Sequence, residues 1–234
     1  MPRAANLLGL SARVPFAVGG LDHHVAALGS GLGKFADVSI STGTVLAAMT
    51  LVAAAEPRAG CYHGPHFDGT RFYRLAFDPA GAGQLEDFQR MWAAGSTLEQ
   101  LLALAASAPA RASAPKDIGA AGHGVVLRYL LEKIAAAQRV LIRQVTGDAA
   151  VSRIVATGGG SRSALWLQIK ADMFGVPVMT PVSPERACLG AAMLASVALG
   201  RQRNVAQATE AMLSPGHVFE PEPTQAAQYR NWAP

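Results

Sequence analysis

The run Ala156-Thr157-Gly158-Gly159-Gly160-Ser161-Arg162-Ser163 closes the apolar stretch Ile154-Val155-Ala156 and opens a helical pattern. A strand, a bare-backbone corner and a helix in direct succession confine the chain to folds in which something approaches main chain at the carboxyl end of a strand. Glycines in series permit positive φ and let a ring or a phosphate lie against backbone that any side chain would cover. The helix that follows points free N–H groups toward an anion. The spacing is neither the G-x-G-x-x-G of dinucleotide folds nor the G-x-x-x-x-G-K-[ST] of P-loops, and no lysine follows within reach of a phosphate. Such a corner serves equally as a packing device, so other segments must decide between the two uses.

The rest of the chain alternates strand-like and helix-like patterns, which points to an α/β domain. Val14 to Val18 reads as a short strand ended by Gly19-Gly20, and Leu21, Val25 and Leu28 recur at helical spacing with Asp22 near the start. Val38 to Leu46 reads as two strands meeting at a tight turn around Gly43, and Arg71 to Phe77 as a further strand reached through a loop from Pro57 to Gly69. Helices are predicted over Gln84–Trp92, Leu98–Ala106 and, most strongly, Val125–Val145, where Leu127, Leu130, Leu131, Ile134, Val140, Leu141 and Val145 form one apolar stripe. Pro109 to Gly124 reads as a linker. A helix with Leu165, Ile169 and Met173, a strand from Val176 to Met179 and a helix from Glu185 to Leu199 complete the pattern.

Composition excludes several classes. Half of the 234 residues are apolar, enough to bury a core. The 20 Lys and Arg give a formal charge of +4 but are dispersed, without a basic stripe interleaved with aromatics, so nucleic acid is a poor partner. Cys61 and Cys188 fit neither a disulfide framework nor zinc-ligand spacing and read as ordinary buried or half-buried thiols in a reducing compartment. No secretory h-region and no apolar run long enough for a bilayer is found, so a cytoplasmic protein without a membrane partner is expected. His63 and His66 flank Gly64-Pro65 near Cys61, a spacing that suits no standard structural zinc site, and no metal-ligating set is expected.

Together these segments resemble the FGGY family of carbohydrate kinases, of the actin-like ATPase superfamily with its ribonuclease-H-like fold. Gly158 to Asp172 is similar to the family's adenosine motif, and Pro177-Val178, Glu185 and Leu189-Gly190-Ala191-Ala192 to its continuation. Gly19-Gly20-Leu21-Asp22-His23-His24 is similar to the segment that carries the family's catalytic base, and Ser41-Thr42-Gly43-Thr44 to its second phosphate motif. The resemblance implies the second half of a two-domain sugar kinase, with residues 1–36 as a hinge-side remnant of the first domain and 37–234 as the nucleotide-binding domain. The early Asp-x-Gly-Thr phosphate motif of the family is not found, so a separate N-terminal domain chain is an expected partner.

The implied roles are specific. Asp22 would be the general base that takes the proton of a sugar or polyol hydroxyl, although aspartate also favours a helix N-cap. His23, and less readily His24, would touch the sugar. Thr42, Gly43 and Thr44 would hold the phosphates of ATP, accompanied by Mg2+, where the rival use is an ordinary hairpin turn. Gly159 and Gly160 would lie against adenine and ribose, Ser163 would bond the nucleotide, and Gly83 would approach adenine from the opposite wall. Arg162 would pair with phosphate or stand solvated, and Glu185 reads as an acidic residue in a helix's first turn. Trp92 and Trp166 are assigned to core or interdomain packing. The expected activity is ATP-dependent phosphorylation of a sugar hydroxyl, incomplete without the N-terminal half. The alternative is a non-catalytic nucleotide-binding or interaction module, and a third reading is another hydrolase-like ATPase.

Overall fold

The computed structural model describes residues 2–81, 83–110, 122–183 and 185–232, so most of the stretch expected as a linker, residues 111–121, lies outside the described part. Seven strands make one mixed sheet: β1 (Val38–Thr42), β2 (Leu46–Val52), β3 (Tyr62–Pro65), β4 (Phe72–Asp78), β5 (Ile154–Thr157), β6 (Val178–Pro181) and β7 (Pro215–Phe219). Their order is β3-β4-β2-β1-β5-β6-β7. β1, β5 and β6 run parallel in the middle, while the hairpin partners on one side and β7 on the other are antiparallel. The helices are α1 (Pro2–Leu7), α2 (Asp22–Leu28), α3 (Gly83–Trp92), α4 (Leu98–Ser107), α5 (His123–Thr146), α6 (Ala164–Phe174), α7 (Arg186–Ala198), α8 (Val205–Met212) and α9 (Pro223–Tyr229).

Strand alternation divides the residues between two faces. Val38, Ile40, Leu46, Ala48, Ile154 and Ala156 pack against the long helix α5 and against α6 in the main core. Each large apolar side chain sealed there contributes about 1.5–3 kcal/mol relative to exposure. On the opposite face Ala47, Met49 and Leu75 meet Ala27 and Leu32, and a further cluster joins Leu28 to Met193 of α7 and Val205 of α8. Ser39, Ser41 and Thr157 point to that second face too, but they open onto a cavity.

Local chemistry explains the element ends. Thr97 and Gln100 close a reciprocal capping box at the start of α4, Asn204 caps α8, and Gly175 in the left-handed conformation stops α6. Helix α6 is buried nearly all round, from Trp166 to Met173. Its stripe of Leu165, Ile169 and Met173 is therefore only part of its contact surface.

Several expectations need correction. Val14 to Val18 forms no strand; Val14, Phe16 and Val18 are exposed, and Pro15 withholds an N–H from any ladder. The loop expected from Pro57 to Gly69 contains β3, an edge strand that ends at Pro65, where a proline is tolerated. The strand expected over Val176–Met179 runs from Val178 to Pro181. Trp92 is half exposed, which leaves it outside the core though not outside interdomain packing, its other assignment, and Cys188 is exposed rather than buried or half-buried. None of the described helices is long and apolar enough to cross a membrane.

Candidate active site

Adjacent parallel strands bring the two turns together. Ser41 pairs with Thr157, so the β1–β2 hairpin and the triple-glycine corner leave the sheet side by side. A methyl on Gly158, whose φ is 79°, would lie 2.5 Å from the carbonyl oxygen of Thr42, and one on Gly160 would lie 2.8 Å from the Thr42 and Trp166 side chains. At these two positions glycine is a packing requirement. Gly159 differs: a methyl there would meet nothing within 4 Å. Close packing and open backbone thus fall on different glycines of one run, and both Gly159 and Gly160 stand in a cavity wall.

Thr42, Gly43, Thr44, Gly159, Gly160 and Ser163 line a cavity of about 440 Å³. Its other wall is mainly apolar, built by Leu85, Leu98, Leu102, Leu131 and Trp166 from four helices, with Glu86 and Gln89 of α3 beside them. An apolar slot beside a turn with a free-standing glycine suits a flat heteroaromatic ring joined to an anion. Ser163 lines this cavity while its hydroxyl accepts the Trp166 N–H at 3.2 Å, so it also caps α6. Gly83 opens α3 with free space about it, two and three residues ahead of Leu85 and Glu86, but is not itself part of the cavity wall.

A second cavity of about 350 Å³ lies on the other side of the corner, with Asp22, His23, Ser41, Thr157 and Gly158 in its wall. Gly159 and Arg162 belong to both cavities. Asp22 is the first residue of α2, not its cap, a position held by Leu21 without a side-chain bond. Its exposed carboxylate accepts the His23 N–H at 2.7 Å and otherwise faces open space. Arg186 and Glu185, at the start of α7, also line this cavity, and Glu185 caps α7 without a side-chain bond. Burial, then the charge of Arg162, holds the Arg186 guanidinium below its ordinary range, and Glu185 works against them. Two guanidinium groups beside a carboxylate give a site that can take an anion and a hydroxyl together.

His24 is a correction. It is buried, with Nε2 2.8 Å from Nδ1 of His66 and its ring stacked on Phe67 at 4.0 Å, away from the cavity. Burial lowers both imidazoles to about 4, with the neighbouring His66 charge adding to the effect on His24. His66, expected in the loop from Pro57 to Gly69, is buried instead. Among the described residues no group of three or more His, Cys, Asp or Glu gathers in a way that could hold a metal ion.

Sequence reasoning overlooked Arg186, Gln138 and Lys170. Lys170 is fully buried on α6 and donates to Thr42 Oγ1 at 2.6 Å, and Gln138 of α5 donates to Ser41 O at 2.9 Å. The available signal was Lys170 lying one helical turn after Trp166 in an otherwise apolar helix, where a charge should attract notice.

The chain matches the FGGY family of carbohydrate kinases, C-terminal domain, over residues 17–199. It is 26% identical to the autoinducer-2 kinase of Escherichia coli K12 over 267 residues, covering 98% of this chain and 50% of that one. Against the gluconokinase of Bacillus licheniformis the identity is 25% over 271 residues, with 100% and 52% covered. The xylulose kinase structure from Rhodospirillum rubrum superposes with a TM-score of 0.83 at 27% identity, covering 98% of this chain and 51% of that one. The gluconate kinase structure from Lactobacillus acidophilus, at 19% identity and a TM-score of 0.85 over 98% and 52%, shares the fold. The chain spans about half the length of the curated relatives it matches.

Proposed function

The chain belongs to the FGGY family of carbohydrate kinases, and from that membership we propose that it is the nucleotide-binding half of an enzyme that phosphorylates a sugar or polyol hydroxyl with ATP. The observation that carries this reading is the shared wall: Gly159 and Arg162 border both the apolar slot and the cavity of Asp22. A nucleotide with its ring against Trp166 and its phosphates on the Thr42-Gly43-Thr44 turn would direct its terminal phosphate past Gly159 toward Asp22.

In that geometry the protein supplies alignment, charge and a proton acceptor rather than covalent chemistry. Asp22 takes the proton of the attacking hydroxyl as its oxygen bonds to the terminal phosphorus, and the bond to the ADP oxygen breaks. His23, beside it in the wall, orients the sugar. Arg162 balances charge on the transferred group. Thr42, Gly43, Thr44, Gly160 and Ser163 hold the nucleotide, and Gly83 frames the adenine side through the helix it opens. The apolar wall, the turn and the open Gly159 fit ATP. Among the described residues no acidic cluster gathers, and Mg2+ would be held chiefly through the phosphates.

Residues 1–36 would be the hinge-side piece and 37–234 the nucleotide domain. Leu7, Leu8, Phe16 and Val18 are 71–81% exposed. That apolar stretch supports a covering partner, which in this reading is an N-terminal half contributing the remaining sugar contacts.

The test is Asp22→Asn, in the chain combined with its N-terminal half. Sugar-dependent ATP turnover should fall by about 10² to 10⁴, with nucleotide affinity unchanged within a few-fold. Unaltered turnover would reject Asp22 as the base.

A further inference from the structure

Thr42 is 1% exposed, yet it begins the turn that lines the apolar slot. Its hydroxyl is held from behind. Lys170 Nζ donates to Oγ1 at 2.6 Å, and Gln138 Nε2, which also donates to Ser41 O, lies 3.2 Å from the same oxygen. Two donors on one hydroxyl leave its own proton to point elsewhere, to Gln138 Oε1 at 3.3 Å or toward the slot.

The lysine has little else to balance it. Its nitrogen lies 4.5 Å from the centre of the Trp166 ring. Asp172, on the same helix, accepts from Gln168 and from the Glu222 N–H. On α5, Arg128 and Glu132 close on Tyr229, Arg139 donates to the carbonyls of Tyr229 and Trp232, and Lys133 donates to Gln84. From the sheet β1 brings the lysine the Thr42 hydroxyl, whereas the Thr157 hydroxyl of β5 faces the other cavity and donates to Ile40 O. Burial alone lowers the ammonium group to about 7. Among the described residues no carboxylate pairs with it.

We propose that Lys170 is a positioning residue of the phosphate-binding turn, anchoring Thr42 from beneath, and that it takes up a proton when the phosphates of a nucleotide dock on the turn's outer side. This rests on the reading of the turn as a phosphate site. The sequence suggested that no lysine stands within reach of a phosphate; Lys170 reaches it through one hydroxyl. An anion across that hydroxyl supplies the counter-charge that the buried ammonium lacks, so the charged form is favoured in the complex and disfavoured without it.

The sign is fixed. Near pH 6 the free protein already carries the charge and binding takes up no proton there through Lys170. Above about pH 7 the free group is neutral and the complexed one charged, so affinity falls as pH rises, by up to about tenfold per unit where uptake is one whole proton.

The experiment is calorimetric titration of this chain with MgATP at pH 8, in buffers of different ionisation enthalpy. The wild type should take up several tenths of a proton, Lys170→Met should remove that uptake and flatten the pH profile, and Lys170→Arg should flatten it while retaining more affinity. Equal uptake in wild type and Lys170→Met overturns the inference and leaves the nucleotide site standing. No MgATP binding by the wild type overturns the reading of the turn, and the inference with it. Should the variants fail to fold, the Lys170 ammonium can be titrated by NMR in the unaltered chain. A midpoint near neutrality that rises with MgATP supports the proposal, and one above 10 in both states overturns it.

Discussion

Gly29 and Gly190 mark the crossing of α2 and α7: a methyl on Gly29 would lie 2.0 Å from the Arg186 carbonyl oxygen, and one on Gly190 would lie 2.0 Å from that of Val25. Backbone touches backbone there. The helix that carries Asp22 is thereby set directly on the helix that begins with Arg186, with no side chain between them to absorb a change.

Gly190→Ala must therefore separate the two helices. A cost of about 1–3 kcal/mol is expected in urea unfolding, and Asp22 should move with α2. In the two-half kinase proposed above, turnover should fall while MgATP affinity stays within a few-fold, since the apolar slot lies on the other side of the corner. Unchanged stability would show that the crossing relaxes freely.

The glycine run offers a paired test. Gly159→Val adds a side chain in open space between the cavities, so stability should change by less than about 0.5 kcal/mol while MgATP affinity falls at least tenfold. Gly158→Ala, by contrast, combines a φ of 79° with a clash against Thr42 O and should lower the unfolding midpoint markedly. Nucleotide binding that survives Gly159→Val would remove the adenosine role from this position.

Acid should loosen the amino-terminal part of α2. The His24–His66 contact needs one ring nitrogen to donate and the other to accept, so both imidazoles cannot be charged while it holds. Both are neutral in the fold down to about pH 4, whereas unfolded histidine titrates near 6.5. The stability from this pair is complete above pH 6.5 and is lost as pH falls through 4, with unfolding linked to the uptake of up to about two protons in that window. His66→Gln should remove about one of them, seen as a shallower slope of unfolding free energy against pH.

Tyr229 ties the last helix to α5. Its hydroxyl contacts Glu132 Oε1 and accepts from Arg128 at 3.1 Å, while Arg128 Nε donates to Glu132 at 2.8 Å. Burial, then the Glu132 carboxylate, raises the phenol to about 12. Tyr229→Phe leaves both charged partners with one bond fewer in a closed site and should cost about 1–3 kcal/mol in denaturant unfolding. A neutral result would mean that water replaces the phenol.

Much of this was legible in the chain because the signals were redundant. Val38 and Ile40 alternating with Ser39 and Ser41, the turn at Gly43 and the stripe of α5 each specify one element and agree on the faces. What escaped notice depended on contacts distant in sequence. β3 is four residues long, includes Gly64 and Pro65, and exists because β4 offers it a partner. Val14 to Val18 has the composition of a strand but pairs with none among the described residues. His23 and His24 are neighbours in sequence, yet the helical turn of about 100° per residue sends one to the cavity and the other to His66. Lys170 was hidden because the periodicity of α6 marks one apolar face, whereas the helix is enclosed on nearly every side.

The register between β1 and β5 has a wider consequence. Because Ser41 sits opposite Thr157 in neighbouring strands, the gap between the hairpin and the glycine corner is one inter-strand spacing, dictated by the hydrogen-bond ladder and not by loop length. Insertions at the far edge of the sheet, or in the connections between helices, leave that gauge untouched. A fold built this way can exchange most of its sequence and rebuild its periphery while the jaws of its grip keep their width.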